Sequence, residues 1–361
     1  MHIGIPLSPY GEKSPSGLGI FVLSVVHVLI KLKPDWSFTL ITKGIQNSQE
    51  FSQYKNVSVV AMPNHFLWKD VACATLKEVD VWLYVNPSLP FLVTPLKSLA
   101  IALDFGNFYD DQNFNFSTKI KIGLLKKVQG WSLRRASHIV STSQATLTDM
   151  QKIFPVTIHK KSSVVMCGYT KVSEVYQSLK VENLPEEYYL IVGVIKPRKN
   201  QLTAVKAFFT AKEQGLKAKL VICGKGSGEY YDALISYIAQ SPHKEDVLFL
   251  GYRTNEELTY LYKHALALVF PSHVEGFGMP IVEAMSCGTP VICSNNGAQG
   301  EVANGYAITI DSRDVSGFSN AMITMQNQEV RTEYIQKGYV RAEDFSWEKT
   351  GRGYISILES M

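Results

Sequence analysis

Two glutamates eight positions apart are the residues of this chain best placed to do chemistry. Glu275 and Glu283 flank the glycine-spaced segment GFGMP at 276–280, which follows the unbroken apolar run ALALVF at 265–270. Such a run is typical of a strand covered on both faces, and the glycines let the backbone approach a ligand closely. Pro280 suits a first helical position, which places Glu283 in the first turn of the helix. The sequence therefore predicts a strand–loop–helix unit with a carboxylate in its loop and another at its helix start.

This arrangement indicates a ligand that carries both phosphates and hydroxyls. Free N–H groups at a helix N-terminus bind an anion such as a phosphate. A carboxylate beside them is unfavourable for a bare anion, but it accepts hydrogen bonds from sugar hydroxyls. For either glutamate alone, a solvated corner between strand and helix is the simpler interpretation. The complete unit instead favours a site for a sugar linked to phosphate.

A second predicted strand end carries cations. The loop GVIKPRKNQ begins at Gly193 and places Arg198 and Lys199 just before a predicted helix. Two adjacent cations at a helix start are unfavourable for the helix dipole unless an anion lies there. The loop is therefore interpreted as a diphosphate-binding turn, with a solvated basic turn as the alternative. No Asp-x-Asp motif occurs in the sequence, so no metal site for a diphosphate is predicted.

The stretch EGFGMPIVE at 275–283 resembles the E-x7-E signature of the large retaining glycosyltransferase family four, which has the GT-B fold. The resemblance implies a retaining, metal-independent hexosyltransferase without a cofactor. It implies that Glu275 is catalytic and accepts hydrogen bonds from the sugar, and that Arg198 and Lys199 stabilise the departing diphosphate. It further implies that Glu283 holds the ribose and that backbone amides line the sugar and phosphate. The donor-binding residues implied in this way are Gly17, Gly19, Gly193, Tyr252, Arg253, Gly276, Phe277, Gly278, Met279, Pro280, Ile281 and Glu283.

The chain departs from the family pattern at two places. Val194 stands where the family often has an arginine directly after the glycine, and Arg198 looks like the substitute cation. At 101–104 the chain reads IALD where the family commonly has a His-Asp pair, so Leu103 occupies the histidine's position. Only Asp104 remains as an acceptor-side candidate, and an ordinary loop cap explains this residue equally well.

Alternating strand and helix signals predict the elements that would position these residues. Because βα repeats imply mainly parallel sheets, the predicted fold is α/β with two Rossmann-like domains, which in a GT-B protein face each other across a cleft. The N-terminal, acceptor-side domain spans 1–172, and a helix at about 345–361 crosses back to it. A polar linker spans 173–187, and the nucleotide-sugar domain spans 188–344. Gly17 and Gly19 fall in a loop between a first strand at 2–7 and a helix at 20–33. In the second domain, strands are predicted at 188–193, 219–224, 247–252, 265–270, 291–293 and 307–310, and a helix at 255–264.

Length and composition fit this organisation. The chain has 361 residues, which is enough for two domains of ordinary size. It is 46% hydrophobic and 19% charged. The longest apolar run, 18–30, is too short to span a bilayer, and the first residues show no signal-peptide pattern. Five scattered cysteines without a CxxC pair favour reduced thiols and argue against a zinc site. We expect a cytoplasmic protein without a metal or a nucleic-acid partner.

One predicted helix concentrates positive charge. Residues 1–180 contain 19 Lys and Arg against 11 Asp and Glu, although the whole chain has a net charge of only +4. In the helix near 119–136, four cations fall within an arc of about 100°, with three apolar residues at its margin. One interpretation is a solvated helix face. The other is peripheral contact with the anionic inner face of a membrane, where a lipid-linked acceptor would lie. The cations are Lys119, Lys126, Lys127 and Arg134, and the apolar residues are Ile120, Leu124 and Trp131.

Several functions remain open at this point. A GT-B phosphorylase or a nucleotide-sugar epimerase shares the two-sheet architecture, and Leu103 in the histidine's place leaves room for a non-catalytic nucleotide-sugar-binding subunit. The resemblance favours the transferase, with a nucleotide sugar as donor and a saccharide or lipid-linked acceptor in polysaccharide biosynthesis. A UDP sugar such as UDP-glucose is favoured by its frequency in the family, and GDP-mannose is the alternative donor.

Overall fold

In the computed structural model, which describes residues 1–8, 17–44, 49–108, 116–171 and 177–361, the chain divides into two compact units. Unit 1 contains Met1–Gly168 together with Ser346–Met361, and unit 2 contains Tyr169–Phe345. Most of the predicted first glycine loop (9–16) and the start of the predicted linker (173–176) lie outside the described residues. Within the described ranges, no helix combines the length and apolar character needed to cross a membrane.

Each unit is built on a parallel sheet. The strands of unit 1 are β1 (His2–Pro6), β2 (Ser37–Lys43), β3 (Val57–Met62), β4 (Val81–Tyr84), β5 (Ser98–Ala102), β6 (His138–Ser141) and β7 (Ser162–Val164). Those of unit 2 are β8 (Tyr188–Val192), β9 (Lys219–Cys223), β10 (Val247–Gly251), β11 (Ala267–Phe270), β12 (Val291–Ser294) and β13 (Ile308–Ile310). Their orders are β3-β2-β1-β4-β5-β6-β7 and β10-β9-β8-β11-β12-β13, with parallel pairing. Every residue of β4, β5, β11 and β12 is buried, as expected for strands covered on both faces.

Helices connect most of these strands. In chain order, the α-helices of the described ranges are α1 (Gly17–Leu32), α2 (Trp68–Thr75), α3 (Phe116–Arg135), α4 (Gln144–Ile153), α5 (Gln201–Glu213), α6 (Glu229–Ala239), α7 (Asn255–His264), α8 (Met279–Ser286), α9 (Gly297–Ala303), α10 (Val315–Thr324), α11 (Gln328–Ala342) and α12 (Trp347–Glu359). The alternation of strand and helix confirms the predicted α/β class.

The last helix, α12, belongs to unit 1 because it packs on α1. A Cβ at Gly351 would lie 2.9 Å from side-chain atoms of both Val28 and Leu32, so a larger residue would force these side chains to shift. The hydroxyl of Thr350 also donates to the carbonyl oxygen of Met166 at 2.8 Å. These contacts place the end of the chain in the first unit.

Element bounds follow the prediction best where the sequence encodes a cap. Helix α7 begins and ends as predicted, because Thr254 and Glu257 form a capping box, which contributes about 1 kcal/mol. The six strands predicted for the second domain are all present, with ends shifted by one or two residues. The predicted start of the first helix was wrong, since α1 begins at Gly17. Gly17 and Gly19 therefore lie in the first turn of a helix and not in a loop.

Candidate functional site

The candidate site lies at the carboxyl edge of the unit 2 sheet, where the strand order reverses. β8 and β11 are neighbours there, with Leu190 paired to Leu268. The chain leaves β8 towards β9 and leaves β11 towards β12, on opposite sides. Open α/β sheets bind ligands in the crevice that this divergence creates. The loops after these two strands carry Arg198, Lys199 and Glu275.

Glu275 and the two cations form one charged network. Its Oε1 lies 2.6 Å from Nζ of Lys199, and its Oε2 lies 3.5 Å from Nη1 of Arg198. Glu275 is only 8% exposed, and Nζ of Lys199 also lies 5.1 Å from the centre of the Phe270 ring. An ionised carboxylate is stable at such a position only with cations close by. The structure therefore brings together the three residues that the sequence proposed as catalytic.

The turn that carries the cations is tied to the loop that carries Glu275. Pro197–Lys199 form a 3-10 turn that ends at Asn200, whose φ of 56° is left-handed. The Asn200 side chain donates from Nδ2 to the carbonyl oxygen of Pro271 at 3.0 Å. The backbone N–H of His273 donates to the carbonyl oxygen of Arg198 at 2.8 Å. These two bonds fix the loops against each other.

The glycine-spaced loop ends in α8. Gly278 precedes the helix with a left-handed φ of 107°, and Met279 and Pro280 are the first two helical residues. The backbone N–H of Ile281 donates to the carbonyl oxygen of Gly278 at 2.9 Å. Phe277 and Ile281 are both buried, so their side chains belong to the core of unit 2. Any contact of these two residues with the nucleotide-sugar donor would therefore have to come from their backbone.

Glu283 lies in α8, but not in the turn that the sequence predicts. Because α8 begins at Met279, Glu283 lies in its second turn and not in the first. The hydroxyl of Tyr262 donates to Oε2 of Glu283 at 3.0 Å. Burial raises the pKa of Glu283, and burial together with the Glu283 charge raises the pKa of Tyr262 well above its ordinary value. Glu283 therefore holds a proton more readily than an exposed glutamate does.

Glycines at three neighbouring strand ends let the backbone segments approach closely. The N–H of Gly193 donates to the carbonyl oxygen of Cys223 at 2.9 Å, and that of Gly224 to Gly251 at 2.8 Å. A Cβ at Gly224 would lie 2.0 Å from the oxygen of Gly193, which no side chain permits. A Cβ at Gly193 would lie 3.9 Å from Cε of Lys199, so this glycine stands beside the charged network.

Tyr252 and Arg253, two of the predicted donor-binding residues, differ in their surroundings. Tyr252 is 59% exposed, and Nζ of Lys225 lies 5.0 Å from its ring centre. Arg253 donates from Nη1 to Oε1 of Glu257 at 2.8 Å, so it is paired with the first turn of α7. Tyr252 therefore offers an aromatic face to solvent, whereas Arg253 stabilises the start of α7.

In unit 1, the acceptor-side candidate follows β5. Asp104 is exposed, and its Oδ1 accepts a hydrogen bond from the backbone N–H of Gly106. This contact is the loop cap that the sequence allowed as the second interpretation. Of the two glycines at the start of α1, Gly17 is exposed and Gly19 is buried.

The predicted basic helix is α3, and its surface is both charged and apolar. Its four cations (Lys119, Lys126, Lys127 and Arg134) are all exposed. Leu124 is 63% exposed and lies on the same side of the helix as Trp131. Trp131 stacks on Phe91 with ring centres 5.5 Å apart, and Phe91 stacks on Phe66 at 4.7 Å. Phe66 is itself 72% exposed, so the apolar surface continues beyond the helix.

Three polar residues near the site were not predicted as site residues from the sequence. They are Asn200, Tyr262 and Gln299, and each reaches a loop or helix that is distant along the chain. Only Asn200 has a recognisable signal, because asparagine is enriched where the backbone turns left-handed between two elements. For Tyr262 and Gln299 the sequence holds no comparable signal.

Comparisons with known proteins identify relatives of this chain. Residues 174–341 match the family described as glycosyl transferases group 1. O-antigen chain mannosyltransferase B of Escherichia coli is 35% identical over 163 residues, covering 45% of this chain and 42% of that protein. O-antigen chain mannosyltransferase RfbU of Salmonella typhimurium is 30% identical over 240 residues, covering 66% of this chain and 63% of that protein. The matched region thus spans less than two thirds of either relative.

Solved structures resemble the chain over nearly its full length. HepE of Anabaena, solved with UDP and glucose, superposes with a TM-score of 0.74 at 16% identity, covering 99% of both chains. WaaG, a glycosyltransferase involved in lipopolysaccharide biosynthesis, gives a TM-score of 0.68 at 14% identity, covering 98% of this chain and 99% of WaaG. At such identities the likeness concerns the fold, and it confirms the GT-B architecture. The family match at 174–341 covers most of the unit that holds the charged network.

Proposed function

We propose that this protein transfers a hexose from a nucleotide-sugar donor to a hydroxyl group of a saccharide or lipid-linked acceptor in glycan biosynthesis. The observation that carries the proposal is the charged network of the buried Glu275 with Lys199 and Arg198 at the strand-order reversal. A carboxylate there can accept hydrogen bonds from the sugar. Two cations beside it can stabilise the charge that develops on the leaving diphosphate. The match of residues 174–341 to the glycosyl transferases group 1 family supports the same class of reaction.

The proposed transfer retains the anomeric configuration. The bond between the anomeric carbon and the diphosphate oxygen breaks, the acceptor oxygen bonds to that carbon on the same face of the sugar, and the proton of the acceptor hydroxyl passes to the departing diphosphate oxygen. Lys199 and Arg198 supply the positive charge that a divalent metal supplies in other transferases. The helix start at Gly278 adds N–H groups for the phosphates. The proposed mechanism therefore needs no metal.

The identity of the hexose rests on the relatives. Frequency in the family favours a UDP sugar, and HepE was solved with UDP and glucose, but HepE is only 16% identical to this chain. The two relatives at 35% and 30% identity are mannosyltransferases. Because sequence relatives at this level carry more weight than a shared fold, we propose mannose as the transferred hexose and GDP-mannose as the first donor to test.

A ligand screen followed by turnover assays tests the proposal. A nucleoside diphosphate at 100 times its Kd should raise the stability of the protein by about 2.7 kcal/mol, so UDP and GDP are compared by thermal shift. Hydrolysis of GDP-mannose and UDP-glucose is then measured for wild type and Glu275→Gln, where we expect a loss of about a hundredfold with nucleotide binding unchanged. A protein that binds no nucleoside diphosphate contradicts the proposal. Binding without turnover would identify a non-catalytic subunit, and phosphate-dependent turnover would identify a phosphorylase.

We also propose that unit 1 rests on an anionic membrane surface through α3 and the neighbouring loop. The backbone of the loop after β4 is hydrogen-bonded to the buried Asp70 and the half-buried Arg135. Asp70 accepts from the backbone N–H groups of Phe91 and Val93 at 3.1 and 3.0 Å, and Arg135 donates to the carbonyl oxygen of Pro90 at 2.6 Å. The held loop presents Leu92, which is 75% exposed. An apolar surface beside four exposed cations is suited to lipid headgroups, where each cation contributes about 1 kcal/mol.

Co-sedimentation with vesicles tests this second proposal. We expect binding to phosphatidylglycerol vesicles at low salt, and loss of binding to phosphatidylcholine vesicles or at high salt, because salt screens the surface charge. Leu124→Ser should weaken the binding. Val340→Ser is the matched control, because Val340 is 62% exposed, close to Leu124, but belongs to unit 2. If the protein does not sediment with the anionic vesicles at low salt, the membrane proposal is wrong and α3 is a solvated helix.

A further inference from the structure

We infer that Asn200 is a positioning residue of the candidate site, whose side-chain amide sets the relative placement of the cation turn and the Glu275 loop. Asn200 directly follows Lys199 and is buried. The kinetic part of this inference rests on the proposed transferase function. Its structural part concerns the two loops alone and can be tested without turnover.

The Asn200 amide links three separate segments. Its Nδ2 donates to the carbonyl oxygen of Pro271 at 3.0 Å and to that of Ser312 at 2.6 Å. Its Oδ1 accepts from the hydroxyl of Thr203 at 2.8 Å. Pro271 is the first residue after β11 and begins the loop that leads to Glu275. A single side chain thus joins the loop after β8 to the loops after β11 and β13.

The backbone at this position adds a second requirement. With φ at 56°, Asn200 turns the chain from the 3-10 turn into α5 in a conformation that most L residues avoid. Glycine would satisfy the backbone but would leave the carbonyl oxygens of Pro271 and Ser312 without the amide. Aspartate tolerates the backbone but has no N–H to donate. Asparagine meets both requirements at once.

The next carbonyl of the same loop is held in a similar way. The oxygen of Ser272 accepts from Nε2 of Gln299 at 2.6 Å and from the hydroxyl of Ser294. Two successive carbonyl groups ahead of Glu275 are therefore fixed by side chains from other elements. Catalytic groups must be held within about 0.5 Å of their working geometry. Misplacement by about 1 Å can cost a hundredfold in rate, so we expect the amide of Asn200 to affect kcat.

The chain offers a matched control for testing this role. Asn304 is also left-handed, with a φ of 42°, but it is exposed and follows α9. Asn200→Gly and Asn304→Gly each keep the backbone conformation available and remove the amide. We expect Asn200→Gly to lower kcat for hydrolysis of GDP-mannose or UDP-glucose by about 30- to 100-fold, with the Kd for GDP or UDP within about threefold of wild type. Asn304→Gly should leave both values unchanged.

Hydrogen exchange followed by mass spectrometry provides a readout without turnover. Amides of 272–276 should exchange faster in Asn200→Gly than in wild type, and Asn304→Gly should not change them. Asn200→Asp, which sets a carboxylate against two carbonyl oxygens, should lower kcat at least as much as Asn200→Gly does. If this variant does not fold, Asn200→Gly decides.

Two results would overturn the inference. One is unchanged exchange of 272–276 in Asn200→Gly. The other is an active wild type for which Asn200→Gly lowers kcat less than about threefold, or weakens nucleotide binding as much as it lowers kcat. A wild type that turns over neither donor would refute the proposed function instead, and the exchange measurement would still decide whether Asn200 holds the loop.

Discussion

Replacing Lys199 by methionine should destabilise unit 2, because it leaves the carboxylate of Glu275 buried without its nearest cation. Nζ of Lys199 lies 2.6 Å from Glu275, whereas Arg198 lies 3.5 Å away. Removing one partner of a buried ion pair costs about 3–5 kcal/mol. Arg198 remains, and the Lys199 side chain is 16% exposed. We therefore expect a loss of about 3 kcal/mol, at the lower end of that range.

A second substitution separates the ion pair from the packing of the lysine chain. Lys199→Met combined with Glu275→Gln removes the charge from both partners, so no buried carboxylate is left unpaired. Replacing a buried ion pair by neutral groups of similar volume costs far less than breaking it. The double variant should lie within about 1 kcal/mol of wild type, which corresponds to a coupling energy of at least about 2 kcal/mol.

Urea denaturation at neutral pH measures these differences, provided that the slope m is the same in all variants. Lys196→Met is the matched control, since Lys196 is an exposed lysine in the same loop. It should change the free energy of unfolding by less than about 0.5 kcal/mol. A coupling energy below about 0.5 kcal/mol between Lys199 and Glu275 would refute the reasoning, because it would mean that the pair is not buried together in solution.

Three further predictions follow from the same site. Glu283→Ala should weaken binding of the nucleoside diphosphate by about 2 kcal/mol, roughly thirtyfold in Kd, if the carboxylate holds the ribose; calorimetry showing equal affinity would remove that role. Turnover should persist in excess EDTA, and inhibition that manganese reverses would reveal a metal requirement. Because burial raises the pKa of Glu283 above the ordinary 4.5, the native state holds this proton more tightly than the unfolded chain does. Wild-type stability should therefore fall as pH rises from the ordinary pKa of 4.5 through the raised pKa, and Glu283→Gln should gain in Tm relative to wild type over the same rise in pH; a constant difference in Tm would contradict this.

The fold was predictable where a single local signal decided each element. Apolar runs such as 265–270 predict buried strands, because strands covered on both faces must be apolar throughout. The start of α1 was missed for an equally physical reason. Glycine costs a helix about 1 kcal/mol relative to alanine, so Gly17 and Gly19 indicate a loop by propensity. In the structure Gly19 is buried in the first turn of α1, and tertiary packing overrides the local preference.

The site was predictable only in part. Glu275 and Lys199 are 76 positions apart, yet they could be placed together because both follow strands whose carboxyl ends meet at one edge of a parallel sheet. The bond from Tyr262 to Glu283 depends on how α7 packs beside α8, and neither helix pattern specifies that. The hydrogen bonds donated by the Asn200 amide could not be predicted either, because their acceptors are carbonyl oxygens, which every residue carries.

Arg198 shows why the family motif alone does not predict which residue supplies the second positive charge beside Glu275. Val194 directly follows Gly193, and it is 47% exposed. The turn Pro197–Lys199 folds the chain back, so that Arg198 reaches Glu275 and also lies 3.4 Å from the carbonyl oxygen of Val274. A cation four positions further along the loop is thereby delivered to the same carboxylate. The geometry of the turn, and not the sequence distance from Gly193, determines which residue supplies the charge.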